Sequence, residues 1–335
     1  MAESEHDAPA PRLRVGVIGA GAVGSALLAA LSARGAAAGL EPVAIASRTL
    51  AHAQAAAASV PGCEALDALD TLAARCDLIF IATSDDAIRT VAEGIAWRRG
   101  QAVIHLSGAQ GVAPLAAAAA RGALVAALHP LMTFPRLTPA TEPDTGQTLA
   151  RFAGTTWALE CGDAALAARL GAFVAALAGR VIRLSAADRA PYHLSGVLAS
   201  NYLVTLAGAA TDLWTGWGVG RDEALRALLP LLRATVENLE TVGLPAALTG
   251  PIARGDVGAV RIHEAWLRAY ADASPERGPA LREAYEALAR LTLPLAREKG
   301  SLSAAAEAAL RRALDEGRSA SDDDVATREV EGHEE

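Results

Sequence analysis

Lysine is almost missing from this chain: Lys299 is the only one, and every other basic residue is arginine. Chemistry that runs through a lysine amine is therefore not expected. Cysteine is scarce too. Cys63, Cys76 and Cys161 have no CxxC or metal-ligand spacing, which predicts buried reduced thiols, a cytoplasmic setting and no metal site. Aromatic residues make up only 4% of the chain, leaving few stacking platforms for flat rings. Positive charge is in deficit, with 30 basic residues against 38 acidic ones, and no basic stripe exists to grip nucleic acid. The first twelve residues, MAESEHDAPAPR, lack the apolar run of a secretory signal and read as a loose tail. The acidic end, 319–335, reads as disordered.

Against these absences stands one glycine-rich stretch, LRVGVIGAGAVG at 13–24. A short apolar run ending at Ile18 breaks into Gly19-Ala20-Gly21-Ala22-Val23-Gly24, and a helix-like run from Ser25 to Arg34 follows. In a strand–turn–helix setting each glycine has its own task. Gly19 makes the tight turn, Gly21 lets a pyrophosphate approach the backbone, and Gly24 lets helix and strand touch. The helix N-terminus favours the phosphates. The next strand, Pro42 to Ser47, ends in Ser47-Arg48-Thr49, where an NAD site would place a carboxylate for the ribose hydroxyl. A guanidinium there suits a 2′-phosphate and predicts NADP(H).

Further strands are expected at 78–83, 101–107, 123–129, 155–159 and 180–184, with helices between them. Ligands in such sheets sit beyond the carboxyl ends of the strands, which places Thr83-Ser84-Asp85, Ser107-Gly108 and His129-Pro130 in one crevice with the glycines. Thr83 to Asp86 would cap the following helix, Ser107 could equally be a cap, and His105, inside its strand, reads as a hydrogen-bonded core residue. Residues 135–150 read as a loop, either a lid or a surface insertion. After Ser185 only helices are expected. Ala190 to Thr211 carries no formal charge over 22 residues, close to the roughly 20 that a membrane span requires. His193, Ser195, Ser200, Asn201 and Thr205 interrupt it on several faces, so a soluble helix buried in a domain or subunit interface is expected, with no membrane contact. The domains are then 13–185, binding NADP(H), and 186–318, helical.

Four stretches, HLSGAQG (105–111), ALHPLMTF (127–134), YHLSGVLASNYL (192–203) and ALTGPIARGD (247–256), resemble a family of oxidoreductase-like proteins. That family joins a Rossmann-like first half to a helical domain of unknown function. It belongs with the group containing ketopantoate reductase, pyrroline-5-carboxylate reductase and 6-phosphogluconate dehydrogenase. The resemblance implies an α/β Rossmann-type parallel sheet, an all-α second domain of the 6-phosphogluconate dehydrogenase C-terminal-like type, NADP(H) as cofactor, a homodimer through the helical domain and a small-molecule substrate. The hydroxyacid members of the group use a lysine with an asparagine one turn later. Asn201 fits that asparagine, while Val197 occupies the lysine position. Thr249-Gly250-Pro251 loosely resembles the substrate-holding turn of the proline reductases.

Reducing C=O or C=N requires a proton donor, and histidine is the natural one near neutral pH. His129, His193 and Asn201 are the catalytic candidates, Asn201 as a hydrogen-bond donor to the oxygen. Thr249 and Arg254 are the substrate-binding candidates, with a salt bridge between Arg254 and Asp256 as the alternative use of that arginine. The expected activity is reduction of a small oxo acid or a cyclic imine with NADPH. A non-catalytic NADP(H) sensor or assembly module is the second reading, and transfer between a deazaflavin and NADP is disfavoured by the aromatic scarcity.

Overall fold

The computed structural model describes residues 12–134 and 145–316. The expected tails, beyond Arg12 at one end and Glu316 at the other, and the first part of the 135–150 loop lie outside the described residues. From Thr145 the expected loop is in fact helical. The chain divides into two compact units, Met1–Leu203 and Val204–Glu335. The sheet unit thus carries helix beyond the pattern change at Ser185.

Eight strands form one sheet: β1 (Leu13–Ile18), β2 (Leu40–Ala46), β3 (Glu64–Leu66), β4 (Leu78–Ile81), β5 (Ala102–His105), β6 (Leu124–Pro130), β7 (Thr156–Cys161) and β8 (Arg180–Arg183). Their spatial order is β3-β2-β1-β4-β5-β6-β7-β8. The first six are parallel. They follow the doubly wound order in which a crevice opens beside β1 and β4. β7 runs antiparallel to β6, and β8 is parallel to β7.

The apolar runs of β1, β4 and β5 lack polar alternation because both faces are covered. Side chains alternate between two layers: Val15, Val17, Phe80 and Ile104 enter one core, Ile18, Ile79, Ile81 and Val103 the other. The helices of this unit are α1 (Ala22–Arg34), α2 (Leu50–Ala58), α3 (Leu69–Arg75), α4 (Asp85–Glu93), α5 (Ala116–Ala120), α6 (Thr145–Phe152), α7 (Ala164–Ala176) and α8 (Arg189–Gly196). Arg98 and Gln101 donate to the carbonyls of Ala73, Ala74 and Cys76, meeting the acceptors left open at the end of α3. Asp163 caps α7 by accepting from the Leu166 N–H at 2.7 Å. The scarce aromatics are concentrated rather than scattered: Phe134, Phe152, Trp157 and Phe173 pack in sequence with ring centroids 5.0, 5.4 and 6.4 Å apart. They close the core beneath β7.

After α8 comes a π-helical segment, Val197–Asn201, then α9 (Tyr202–Trp214), α10 (Arg221–Val242), α11 (Pro251–Arg254), α12 (Val257–Ala273), α13 (Gly278–Glu298) and a last helix over 304–316. Val260, Leu293, Leu310 and Leu314 form the core of the helical unit. α10 buries only Ala224, and α9 only Thr211. Within the helical stretch Ala186–Trp217, of 32 residues, an 18-residue window reaches a mean hydropathy of 1.2, enough by length and composition to cross a membrane, and 6% of that window is buried. Of the two burials expected for this segment, in a domain or in a subunit interface, the first is not met within this chain. Leu194, Leu198, Tyr202 and Val204 are all exposed. Polar residues interrupt the stretch without turning its apolar ones inward.

Candidate functional site

The glycine loop has the steric properties that the spacing predicts. Gly19 has φ +112°, a conformation that L side chains rarely adopt, and a Cβ there would lie 2.5 Å from the Ala82 carbonyl oxygen. A Cβ on Gly24 would overlap the Gly19 carbonyl, so α1 can meet β1 only through glycine. A Cβ on Gly21 would meet nothing within 4 Å, which leaves open space over the turn. The loop is pinned on both sides, with the Gly19 N–H donating to Ala46 O and the Ala82 N–H to Ile18 O, each at 2.7 Å. Ala20 and Val23 pack against the core, and Gly21 precedes Ala22 as the N-cap of α1. A cradle that a Cβ would fill at Gly24, and open space at Gly21, fit a pyrophosphate on the α1 N-terminus.

At the tip of β2, Ser47 is half-buried while Arg48 and Thr49 are exposed. Arg48 makes no ion pair or side-chain hydrogen bond among the described residues. At the tip of β4, Thr83 Oγ1 donates to Ser84 O at 3.3 Å. Ser84 is the N-cap of α4 by position, yet its side chain makes no capping bond, and Asp85 and Asp86 fill the acidic first turn. Asp85 accepts from Ser107 Oγ at 2.7 Å, which ties the tips of β4 and β5 together. Ser107 also serves as the expected cap, its Oγ accepting from the Gln110 N–H at 3.1 Å.

His105 is a core histidine, as expected. Its Nε2 donates to Gly111 O at 2.8 Å, its Nδ1 accepts from the Ser107 N–H at 3.1 Å, and burial holds its pKa below the usual histidine range.

Beside it, the structure brings the two candidate histidines together. A Cβ on Gly108 would lie 2.9 Å from His129 Nε2 and 2.9 Å from His193 Cδ2, so both rings close on this one glycine. The His129 and His193 rings are edge to face with centroids 6.5 Å apart. His129 Nδ1 is 2.9 Å from the hydroxyl of Tyr192. Burial, with His193 and Arg189 nearby, lowers the His129 pKa to about 4, so the ring is neutral at pH 7.

The sequence reading missed Arg189 and Tyr192. Arg189 is a buried cation on the first turn of α8, paired to Glu160 of β7 at 3.4 Å. It also donates to Ala127 O at 3.2 Å and to Ser107 O at 3.5 Å. This arginine fastens α8, which carries Tyr192 and His193, to β6 and to the end of β5. One signal was available: Arg189 is the last charge before a long uncharged run, three residues ahead of Tyr192.

Asn201 is exposed at the end of the π-helical segment, further along the chain from the histidine pair. Thr249 and Arg254, both exposed, belong to the helical unit. The expected alternative for Arg254 is not realised: Asp256 instead caps α12, accepting from the Ala259 N–H at 3.0 Å. The lone lysine is engaged as well, with Lys299 Nζ donating to Ala246 O at 2.9 Å and Leu248 O at 2.7 Å. Cys63, Cys76 and Cys161 are free thiols, and no metal-binding cluster occurs among the described residues.

A mostly parallel Rossmann-like sheet followed by an all-helical region is the architecture of the pyrroline-5-carboxylate reductase fold. Residues 1–130 match the Rossmann-like domain family, and residues 155–292 match a domain of unknown function, DUF2520; the chain joins these two domains. No curated protein matches the sequence. Among solved structures, a proposed NADP oxidoreductase from Bacteroides fragilis is 23% identical with a TM-score of 0.64, over 84% of this chain and 98% of that one. 1-Pyrroline-5-carboxylate reductase from Streptococcus pyogenes is 17% identical with a TM-score of 0.50, over 92% and 99%. A reductive aminase from Aspergillus terreus, in complex with NADPH and ethyl levulinate, is 19% identical with a TM-score of 0.52, over 92% and 95%. These likenesses concern the fold.

Proposed function

We propose that the protein is an NADP(H)-dependent oxidoreductase acting on the C=O or C=N group of a small oxo acid or cyclic imine. One observation carries the reading: two histidines converge on Gly108 at the same strand ends that hold the glycine loop. When bound, NADPH supplies a hydride to the substrate carbon. The open backbone at Gly21 and the first-turn N–H groups of α1 hold the pyrophosphate, and unpaired Arg48 grips the 2′-phosphate. Thr83, Ser84, Asp85, Ser107 and Gly108 border the crevice at the tips of β4 and β5. His129 and His193 face the group being reduced, where a hydrogen-bond donor lowers the barrier to charge building on oxygen or nitrogen. Asn201 offers a second amide donor; within the helical unit, Thr249 and Arg254 carry a hydroxyl and a guanidinium of the kind that binds a carboxylate. The free thiols fit a reducing compartment.

The exposed apolar faces of α9 and α10 are proposed to be covered by a second copy of the chain, making a homodimer through the helical unit. The second reading, a non-catalytic NADP(H) sensor, is favoured by Val197 at the lysine position and by the engagement of Lys299 with backbone carbonyls.

The test is to follow the absorbance of reduced nicotinamide with a panel of oxo acids and cyclic imines. Oxidation of NADPH by at least one substrate is expected; tight NADPH binding with no turnover on any of them would select the sensor. Arg48→Ala should weaken NADPH by roughly 10- to 100-fold, the value of a charge-assisted hydrogen bond, and leave NADH almost unchanged. Equal weakening of both would remove the 2′-phosphate assignment.

A further inference from the structure

We propose that Tyr192 is a positioning residue that fixes His129 with its proton on Nε2, so that the ring presents a hydrogen-bond donor to the C=O or C=N group. The inference deepens the reductase reading and rests on it for the identity of the acceptor.

A tyrosine hydroxyl has one proton to give. From Tyr192 two acceptors are in reach, His129 Nδ1 at 2.9 Å and the His129 carbonyl oxygen at 3.5 Å. The first is an ordinary hydrogen bond and the second lies at the outer limit, so the hydroxyl proton is assigned to Nδ1; the reverse arrangement, an Nδ1–H donating to the hydroxyl, keeps the 2.9 Å bond but leaves the hydroxyl only the 3.5 Å contact. A neutral imidazole that accepts at Nδ1 carries its hydrogen on Nε2. That atom has no hydrogen-bond partner among the described residues and lies against Gly108, where a Cβ would be 2.9 Å away. The Tyr192 ring meets the His129 ring at 88°, with centroids 5.6 Å apart. The tyrosine is in turn held by its own helix, because Arg189 one turn earlier is locked to Glu160 and to the carbonyls of Ser107 and Ala127. Burial also pushes the Tyr192 hydroxyl up to about 12, keeping it protonated and able to donate.

The groups facing His129 reinforce a neutral ring. Burial first, then His193 and Arg189 from α8 and His105 from β5, disfavour a positive charge on it, and Asp85 from α4 opposes them. A neutral donor polarises the acceptor without surrendering a proton, so His129 acts by stabilising developing charge.

The tautomer can be read without any turnover. In uniformly 15N-labelled protein, long-range proton–nitrogen correlation distinguishes the protonated ring nitrogen from the bare one, and the His129→Gln variant assigns the signals among seven histidines. The expected spectrum has His129 protonated on Nε2 throughout pH 5 to 8 (roughly the range in which an unperturbed histidine titrates). Tyr192→Phe should collapse it to a mixture of tautomers and lower kcat by roughly 10- to 100-fold while KM stays within about twofold. A His129 ring protonated on Nδ1 in the parent protein overturns the assignment, as does an unchanged spectrum in Tyr192→Phe. Should that variant fail to fold, the parent spectrum alone decides. An Nε2–H ring in a protein that reduces no carbonyl or imine removes the reductase reading while leaving the Tyr192–His129 bond in place.

Discussion

The two units of the chain bury opposite things. In the sheet unit the interior is hydrocarbon from Val15 to Val174, and its buried polar side chains Gln101, His105, Ser107 and Arg189 all find partners. In the helical unit Glu264 and Glu286 are buried beside Arg282 and Arg290, while Leu231, Ile262 and Leu291 are 63%, 70% and 72% exposed. Burial and the neighbouring Glu286 carboxylate raise the pKa of Glu264. Up to β8 the sheet unit therefore largely satisfies its hydrophobic pattern within itself, and the helices from α8 onward do not. The proposed roles follow the same division: the proposed donors lie on the self-sufficient scaffold, and the unsatisfied apolar face is the one proposed to meet a second copy.

The contrast can be broken most severely at Arg189. Replacing it with methionine leaves Glu160 without its cation and should cost about 3–5 kcal/mol in denaturant unfolding, together with loss of the α8 contacts. A change under about 1 kcal/mol, the range of an exposed pair, would show that the sheet unit does not depend on this ion pair.

Next in size is the pH response of His129. Its pKa is near 4 in the folded chain and about 6.5 when unfolded, so only the unfolded state takes up a proton between those values. Its contribution is complete above pH 6.5 and is lost as pH falls toward 4, amounting to about 3 kcal/mol. His129→Gln should flatten the stability profile in that window, measured by unfolding at successive pH values.

A pair of glycine variants sharpens the same scaffold argument. Gly24→Ala, which forces a Cβ into the Gly19 carbonyl, should destabilise by at least about 1–3 kcal/mol. Gly21→Ala, placed in open space, should leave the melting temperature unchanged yet weaken NADPH roughly tenfold in a binding titration. Equal melting losses in the two variants would contradict their different surroundings.

The smallest change in stability is expected on the helical side. Leu231→Asp should alter intrachain stability by no more than about 0.5 kcal/mol, because its side chain packs little within the chain. It should nevertheless shift the mass measured by light scattering from dimer toward monomer. An unchanged mass would leave the α10 face without its proposed partner.

Much of this was legible in the sequence where one residue type answers to one steric demand. The glycine loop is the plainest case, since φ +112° at Gly19 and the crowding at Gly24 leave no other side chain. The uninterrupted apolar runs of β1 and β4, and the place of His129 at the edge of the sheet, could be read for a similar reason: strand ends in a parallel sheet gather on one edge. The losses have physical causes. β3 is three residues long, too short to display a period. The reversal at β7 escaped because apolar residues encode burial and not strand direction. Arg189 escaped because its burial rests on Glu160 and on backbone carbonyls distant in sequence, which no local pattern displays.

The engagement of Lys299 has a practical consequence. Because the chain has one ε-amine, and that amine bridges the carbonyls of Ala246 and Leu248, an amine-selective acylating reagent has a single side-chain amine to modify here. Acylation would remove the charge and free both carbonyls, so the rate at which reagent is taken up reports how often the 243–249 turn releases its grip.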